Sequence, residues 1–107
     1  MQGLIVDPYS RRVYTDDRDW TLRDMQEVVH GYIQLVDIGA HVPLLSGWSC
    51  YLDDEGRLKE NEPWGLIGWP ERYLMGPMLV LGMDDEGENA PCDLRVQDLW
   101  RLVVWQS

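Results

Sequence analysis

Phenylalanine is absent from these 107 residues, and cysteine, histidine and basic residues are scarce. The two cysteines, Cys50 and Cys92, form no Cys-x-x-Cys pair and have no histidine close by in sequence. That pattern argues against a zinc ribbon and against a disulfide-stapled module, and reduced thiols are the cytoplasmic default. Cys50 falls in an expected strand as a small buried hydrophobe, and Cys92 follows Pro91 in a loop. Nine basic residues face nineteen acidic ones, a net charge of -10. Such a field repels duplex DNA, RNA and anionic lipid, so no direct nucleic-acid partner is expected. No apolar run approaches the roughly 20 residues that span a bilayer, so no membrane partner is expected either. Met1 leads into strand-like sequence instead of a basic-then-apolar leader, which points to a cytoplasmic location. A phosphate-cradling Gly-x-x-x-x-Gly-Lys loop is also missing.

What remains is the composition of one folded domain over residues 1–107, with 45% hydrophobic and 26% charged residues. A chain of this length buries a core without metal or disulfide staples. Its aromatic content is six Trp and five Tyr. Tryptophan carries large apolar area and one N–H donor, so it suits cores, interfaces and flat ring-shaped ligands alike.

Along the chain, Gly3-Leu4-Ile5-Val6 reads as a strand, Asp7-Pro8-Tyr9-Ser10 as a turn, and Arg11 to Thr15 as the returning strand. Thr21 has the character of a helix N-cap, with Asp24 in the acidic position of a capping box. Leu22, Met25, Val28 and Val29 follow at helical spacing, and Gly31 is the expected stop. Residues 32–38 form the clearest strand. Further strands are expected at Trp48 to Leu52 and Met78 to Met83, with residues 61–72 irregular between them. Val96, Leu99, Trp100 and Val103 show helical spacing within an expected helix over residues 94–103, and Val104-Trp105 suits a short last strand or a frayed helix end. The order predicts an α+β fold, a small mostly antiparallel sheet with two helices packed on it. Alternation places Ile33, Leu35, Leu79 and Leu81 in its core.

The tetrapeptide Asp-Asp-Glu-Gly occurs at 53–56 and again at 84–87. Carboxylates in a turn supply oxygen ligands, but a calcium loop alternates its ligands over about a dozen residues, which these runs do not. Ordinary turn chemistry, with the glycine at positive φ, is the better reading, and no metal site is expected. His30 and His41 have no serine or cysteine close by in sequence that would make a nucleophile pair, so no catalytic residue and no cofactor are assigned. The stretch 61–73 stands apart. It holds Trp64, Trp69, Arg72 and Tyr73 among glycines, and irregular stretches of this length are often binding loops. Aromatic faces beside an arginine suit a planar, phosphate-bearing ligand.

Residues 51–88 carry a compact signature: an acidic turn leading into Gly56-Arg57-Leu58-Lys59, then Gly68-Trp69-Pro70, then Gly76-Pro77-Met78-Leu79-Val80-Leu81-Gly82. Together with the opening Gly-Leu-Ile-Val-Asp-Pro at 3–8, it resembles a family of short uncharacterised proteins from actinobacteria and their phages, within or beside a phage-associated domain of unknown function. The likeness spans nearly the whole chain and implies no activity. Relatives carry Tyr at the position of Trp69 and a basic residue within the run that reads Met75-Gly76-Pro77-Met78 here.

Two functions from different classes follow. The first is a non-enzymatic, phage-type accessory protein that sequesters a nucleotide-derived small molecule, such as an immune signalling nucleotide, at Trp64, Trp69, Arg72 and Tyr73. Its tryptophans would also serve a homo-oligomer interface. The second is an acidic module that inhibits a host nucleic-acid-binding protein by presenting a DNA-like charge surface. One continuous acidic face would favour the second, and two isolated acidic turns would favour plain solubility.

Overall fold

The first hairpin is built from sequence-local bonds. In the computed structural model, which describes residues 1–59, 61–71 and 73–106, β1 (Gln2–Asp7) and β2 (Arg12–Asp17) pair antiparallel from Gln2↔Asp17 to Asp7↔Arg12. Their turn is folded by Asp7, whose carboxylate accepts the Tyr9 N–H and the Ser10 hydroxyl, both at 2.9 Å. Helix α1 (Leu22–Val29) starts with the expected capping box: Thr21 Oγ1 accepts the Asp24 N–H and the Asp24 carboxylate accepts the Thr21 N–H. At its other end the left-handed residue is His30, with φ of 65°, not Gly31. Gly31 serves space instead, because a Cβ there would run into the Asp53 carboxylate.

The remaining strands are β3 (Ile33–Val36), β4 (Ser49–Asp53), β5 (Pro63–Leu66), β6 (Leu74–Met75), β7 (Met78–Met83), β8 (Asn89–Ala90) and β9 (Val103–Trp105), with α2 (Val96–Trp100) before the last. They form a main sheet in the order β2-β1-β7-β4-β3, with β8 added beside β7, and a small sheet β6-β5-β9. Among the described residues every strand pairing is antiparallel.

Strands β1 and β7 are buried on both faces. The register places Leu4, Val80, Cys50 and Val36 in one row and Ile5, Leu79, Tyr51 and Leu35 in the next, facing the opposite way. The first row belongs to a core with Trp64, Leu66, Leu74 and Leu99, contributed by the small sheet and α2. Ile5, Leu79 and Leu81 meet Trp20, Met25 and Val29 on the face covered by α1. The fold is thus mostly antiparallel with two helices, as expected, but richer in strand. Helix α1 packs across β7, β4 and β3 on one face, while α2, five residues long, packs near β2 and buries Leu99 in the core on the other.

Several expectations change with this arrangement. The helix anticipated over 94–103 ends at Trp100, and Val103–Trp105 pairs with β5 instead. The segment 61–72 is not irregular throughout, since β5 runs through it. The strand expected over 32–38 is four residues long and lies at the sheet edge, with Ile38 opening a 3-10 turn. Leu79 and Leu81 are fully buried, Ile33 is half-buried, and Leu35 is 57% exposed. The reason is that α1 buries Met25 and Val29 over the central strands and leaves the outer edge of that face to water. Gly56 has no positive φ and begins the 3-10 turn Gly56–Leu58, whereas Gly87 has φ of 80°. Because β4 and β7 run antiparallel with Ser49↔Leu81 and Tyr51↔Leu79, the two acidic tetrapeptides lie at opposite ends of this strand pair. Among the described residues no helix is long and apolar enough to cross a membrane.

The burial pattern yields a paired stability test. Leu81→Ala should cost about 2–5 kcal/mol, as for a packed core leucine. Leu35→Ala should cost less than about 0.5 kcal/mol, as for a surface change. Urea denaturation reads both, and equal losses would mean that the faces are misassigned.

Four titrating groups lean the same way. Burial pushes the Cys50 thiol up to about 12 and raises Cys92, burial raises Tyr14 with help from Asp7, and the bond to Asp53 raises Lys59. In each case the folded pKa exceeds the unfolded one, so the contribution to stability is complete below the unfolded value and is lost progressively as pH climbs from there through the folded value. The lowest ordinary value in the set is the thiol's, 9.0. The urea midpoint should therefore hold steady near neutrality and fall above about pH 9, and a midpoint constant to about pH 11 would contradict the burial of the two thiols.

Candidate functional site

Three stretches of chain enclose a cleft of about 290 Å³. Its floor is the outer edge of the main sheet, where Gln34 pairs with Leu52 and Val36 with Cys50. One wall is the turn at 53–58, and the other is made by Trp69, Glu71, Tyr73 and the two residues of β6.

The turn wall is set by a buried acid. Asp53, with its side chain 1% exposed, accepts the Glu55 N–H at 3.0 Å and Lys59 Nζ at 2.9 Å. Lys59, the chain's single lysine, also donates to the His30 carbonyl at 3.3 Å. It thereby ties the end of β4 to the C-terminus of α1. The bond to Asp53 holds the ammonium's pKa above its ordinary value. Below this pair, Asn61 Nδ2 donates to the Gly56 carbonyl at 3.1 Å, and its Oδ1 accepts the Tyr9 hydroxyl at 2.7 Å. The turn therefore projects Arg57 from a braced base. Arg57 Nη2 donates to the Glu71 carboxylate and, at 3.0 Å, to the Tyr73 carbonyl. These bonds join the two walls.

The opposite wall begins at Gly68, whose φ of 98° and close approach to the His41 carbonyl both exclude a side chain. That turn delivers Trp69 against the main core, edge-on to His41 with ring centres 5.5 Å apart. The Trp69 indole N–H is buried and has no hydrogen-bond partner among the described residues. Native proteins leave few such groups unmatched, so this one calls for an explanation. Leu74 and Met75 complete the wall, with the Tyr73 side chain half-buried between them and Glu71.

Of the four residues singled out from the sequence, two line the cleft, Trp69 and Tyr73. Trp64 does not. It sits in β5 with no exposed surface, its indole donates to the Gly76 carbonyl at 2.8 Å, and its ring tilts against Trp105. Arg72 lies outside the described residues. Among the described residues, Arg57 brings a guanidinium to the cleft, and Gln34, Asp54 and Glu71 join it. Arg57 was visible as the variable position of the Gly-x-Leu-Lys run, but nothing local to that run places it across from Glu71. Among the described residues no group of three or more His, Cys, Asp or Glu side chains converges as a metal site.

Among the described residues the cleft therefore offers apolar side chains on its floor, an indole ring, a phenol ring, an amide, and an arginine bridged to a glutamate. The chain belongs to the family described as Domain of unknown function (DUF3846), whose sequence model matches residues 1–101 and so includes every element of the cleft. No curated protein and no solved structure matches the chain.

The Gly31–Asp53 contact tests how the turn wall is positioned. Gly31→Ala should destabilise by about 1–3 kcal/mol through overpacking against the carboxylate. Adding Asp53→Ala should relieve that clash, so the double variant should cost less than the sum of the single changes by at least about 0.5 kcal/mol. Additive losses in thermal or urea melts would show that Gly31 and Asp53 are not coupled.

Proposed function

We propose that this DUF3846 domain is a binding protein rather than a catalyst, and that its cleft holds the planar ring of a nucleotide-derived small molecule. The observation that carries this reading is the convergence of two aromatic side chains, Trp69 and Tyr73, with the Arg57 guanidinium in one cleft. A planar heteroaromatic ring gains apolar contact from the faces or edges of the two rings. Size supports the same class. Ligand pockets commonly enclose roughly 300–1,000 Å³, and this cleft, at about 290 Å³, falls just under that range, which limits it to a ligand about the size of a base or nucleoside. The placement of the two acidic tetrapeptides at opposite ends of β4 and β7 fits solubilising turns better than one DNA-like face.

Calorimetric titration with the common nucleosides and their 5′-monophosphates, beside native mass spectrometry of the purified protein, tests the reading. At least one ring class should bind, and Tyr73→Ala, which removes one aromatic side chain from the cleft, should weaken it roughly tenfold, the scale of one lost stacking contact. No binding by any member of the set, or binding indifferent to Tyr73→Ala, would defeat the proposal.

A further inference from the structure

Arg57 and Glu71 come from opposite walls of the cleft and meet across it. Their side chains are 62% and 58% exposed, so the pair lies on the cleft's solvent side. An exposed pair of this kind is weak and screened by salt. Guanidinium, by contrast, has a planar fork of donors that matches a phosphate with two parallel bonds. The carboxylate of Glu71 is itself a small planar anion placed on that fork, and it is carried on the same wall as Trp69 and Tyr73. Asp54 also lines the cleft, so with Glu71 in place an incoming phosphate would meet an arginine already neutralised and a carboxylate nearby.

We propose that Glu71 is an internal competitor, holding on Arg57 the place taken by the phosphate of a bound nucleotide. Arg57 is then the residue that reads the phosphate, and Glu71 sets how tightly it does so. A nucleoside fills the cleft without disturbing the pair, whereas a nucleotide exchanges one anion for another on the same guanidinium. This inference rests on the cleft being the ligand site, and it goes beyond that by assigning opposite roles to two residues.

The opposite roles give opposite signs in one experiment. Adenosine and guanosine, and their 5′-monophosphates, are titrated into the wild-type protein, Glu71→Gln, Arg57→Ala and Arg57→Lys, with melting temperatures recorded for each. Relative to the nucleoside, Glu71→Gln should tighten the monophosphate by about two- to fivefold, the affinity equivalent of releasing an exposed ion pair. Arg57→Ala should weaken the monophosphate by roughly tenfold more than it weakens the nucleoside, whose binding it also lowers in so far as the Tyr73 carbonyl loses its partner. Arg57→Lys should fall between, because it keeps the charge and loses the fork. If Glu71→Gln weakens nucleoside and nucleotide alike, the pair merely braces the walls and the proposal is wrong. If the wild type binds nucleosides but Glu71→Gln leaves the monophosphate unaltered, the competitor role fails while the cleft reading stands. If the wild type binds neither, the cleft reading falls and takes the competitor role with it.

Discussion

β7 is apolar on both faces, and the rest of the molecule is arranged around that constraint. Met78 and Val80 point one way, Leu79 and Leu81 the other, and all four are fully buried. Leaving either set in water would forgo about 1.5–3 kcal/mol for each large side chain. A short chain must therefore cover both sides of a sheet. It does so with one helix of eight residues on one face and a patchwork on the other: a three-stranded sheet, a five-residue helix and short 3-10 turns. Neither cover reaches the full width. On the α1 face the shortfall leaves Leu35 exposed, and on the opposite face it leaves the cleft over Gln34, Val36 and Leu52.

The cleft keeps its shape because its walls are pinned from outside it. Trp64 fills the core beneath the small sheet and holds the Gly76 carbonyl, just past the end of β6. Asp53, Lys59 and the His30 carbonyl lock the opposite turn to the end of α1. Burying the Asp53 carboxylate is tolerable because it is paired with Lys59 and accepts a backbone N–H. Against these braced walls, Arg57 and Glu71 are exposed and held by a surface ion pair, whereas the Trp69 N–H is sealed within its wall.

Several acidic side chains are engaged in local structure. Arg18 is shared between Asp16 and Glu27 of α1, the 53–56 turn holds its buried acid with Lys59, and the 84–88 hairpin folds on its own Asp84, which accepts the Glu86 and Glu88 N–H groups. Carboxylates engaged in this way shape the backbone beside them.

The sequence by itself determined whatever depends on neighbours a few residues apart. The Thr21–Asp24 capping box, the Asp7 turn and the buried run of β7 were legible because their bonds or periodicities close within one turn or one strand. The likeness to an uncharacterised domain family was legible for the same reason, since it rests on short runs of residues. Only the tertiary structure decided which faces are covered and which rings meet solvent. Leu35 has the same alternation as Leu79 yet lies beyond the reach of α1, and Trp64 resembles Trp69 in sequence context yet belongs to β5 and its buried sheet. Arg57 acquires its meaning from Glu71, fourteen residues away, across a gap that exists because two layers stop short of each other. Alternation along a strand names two faces, but water is excluded only where another layer lands, and that is set by packing between segments distant along the chain.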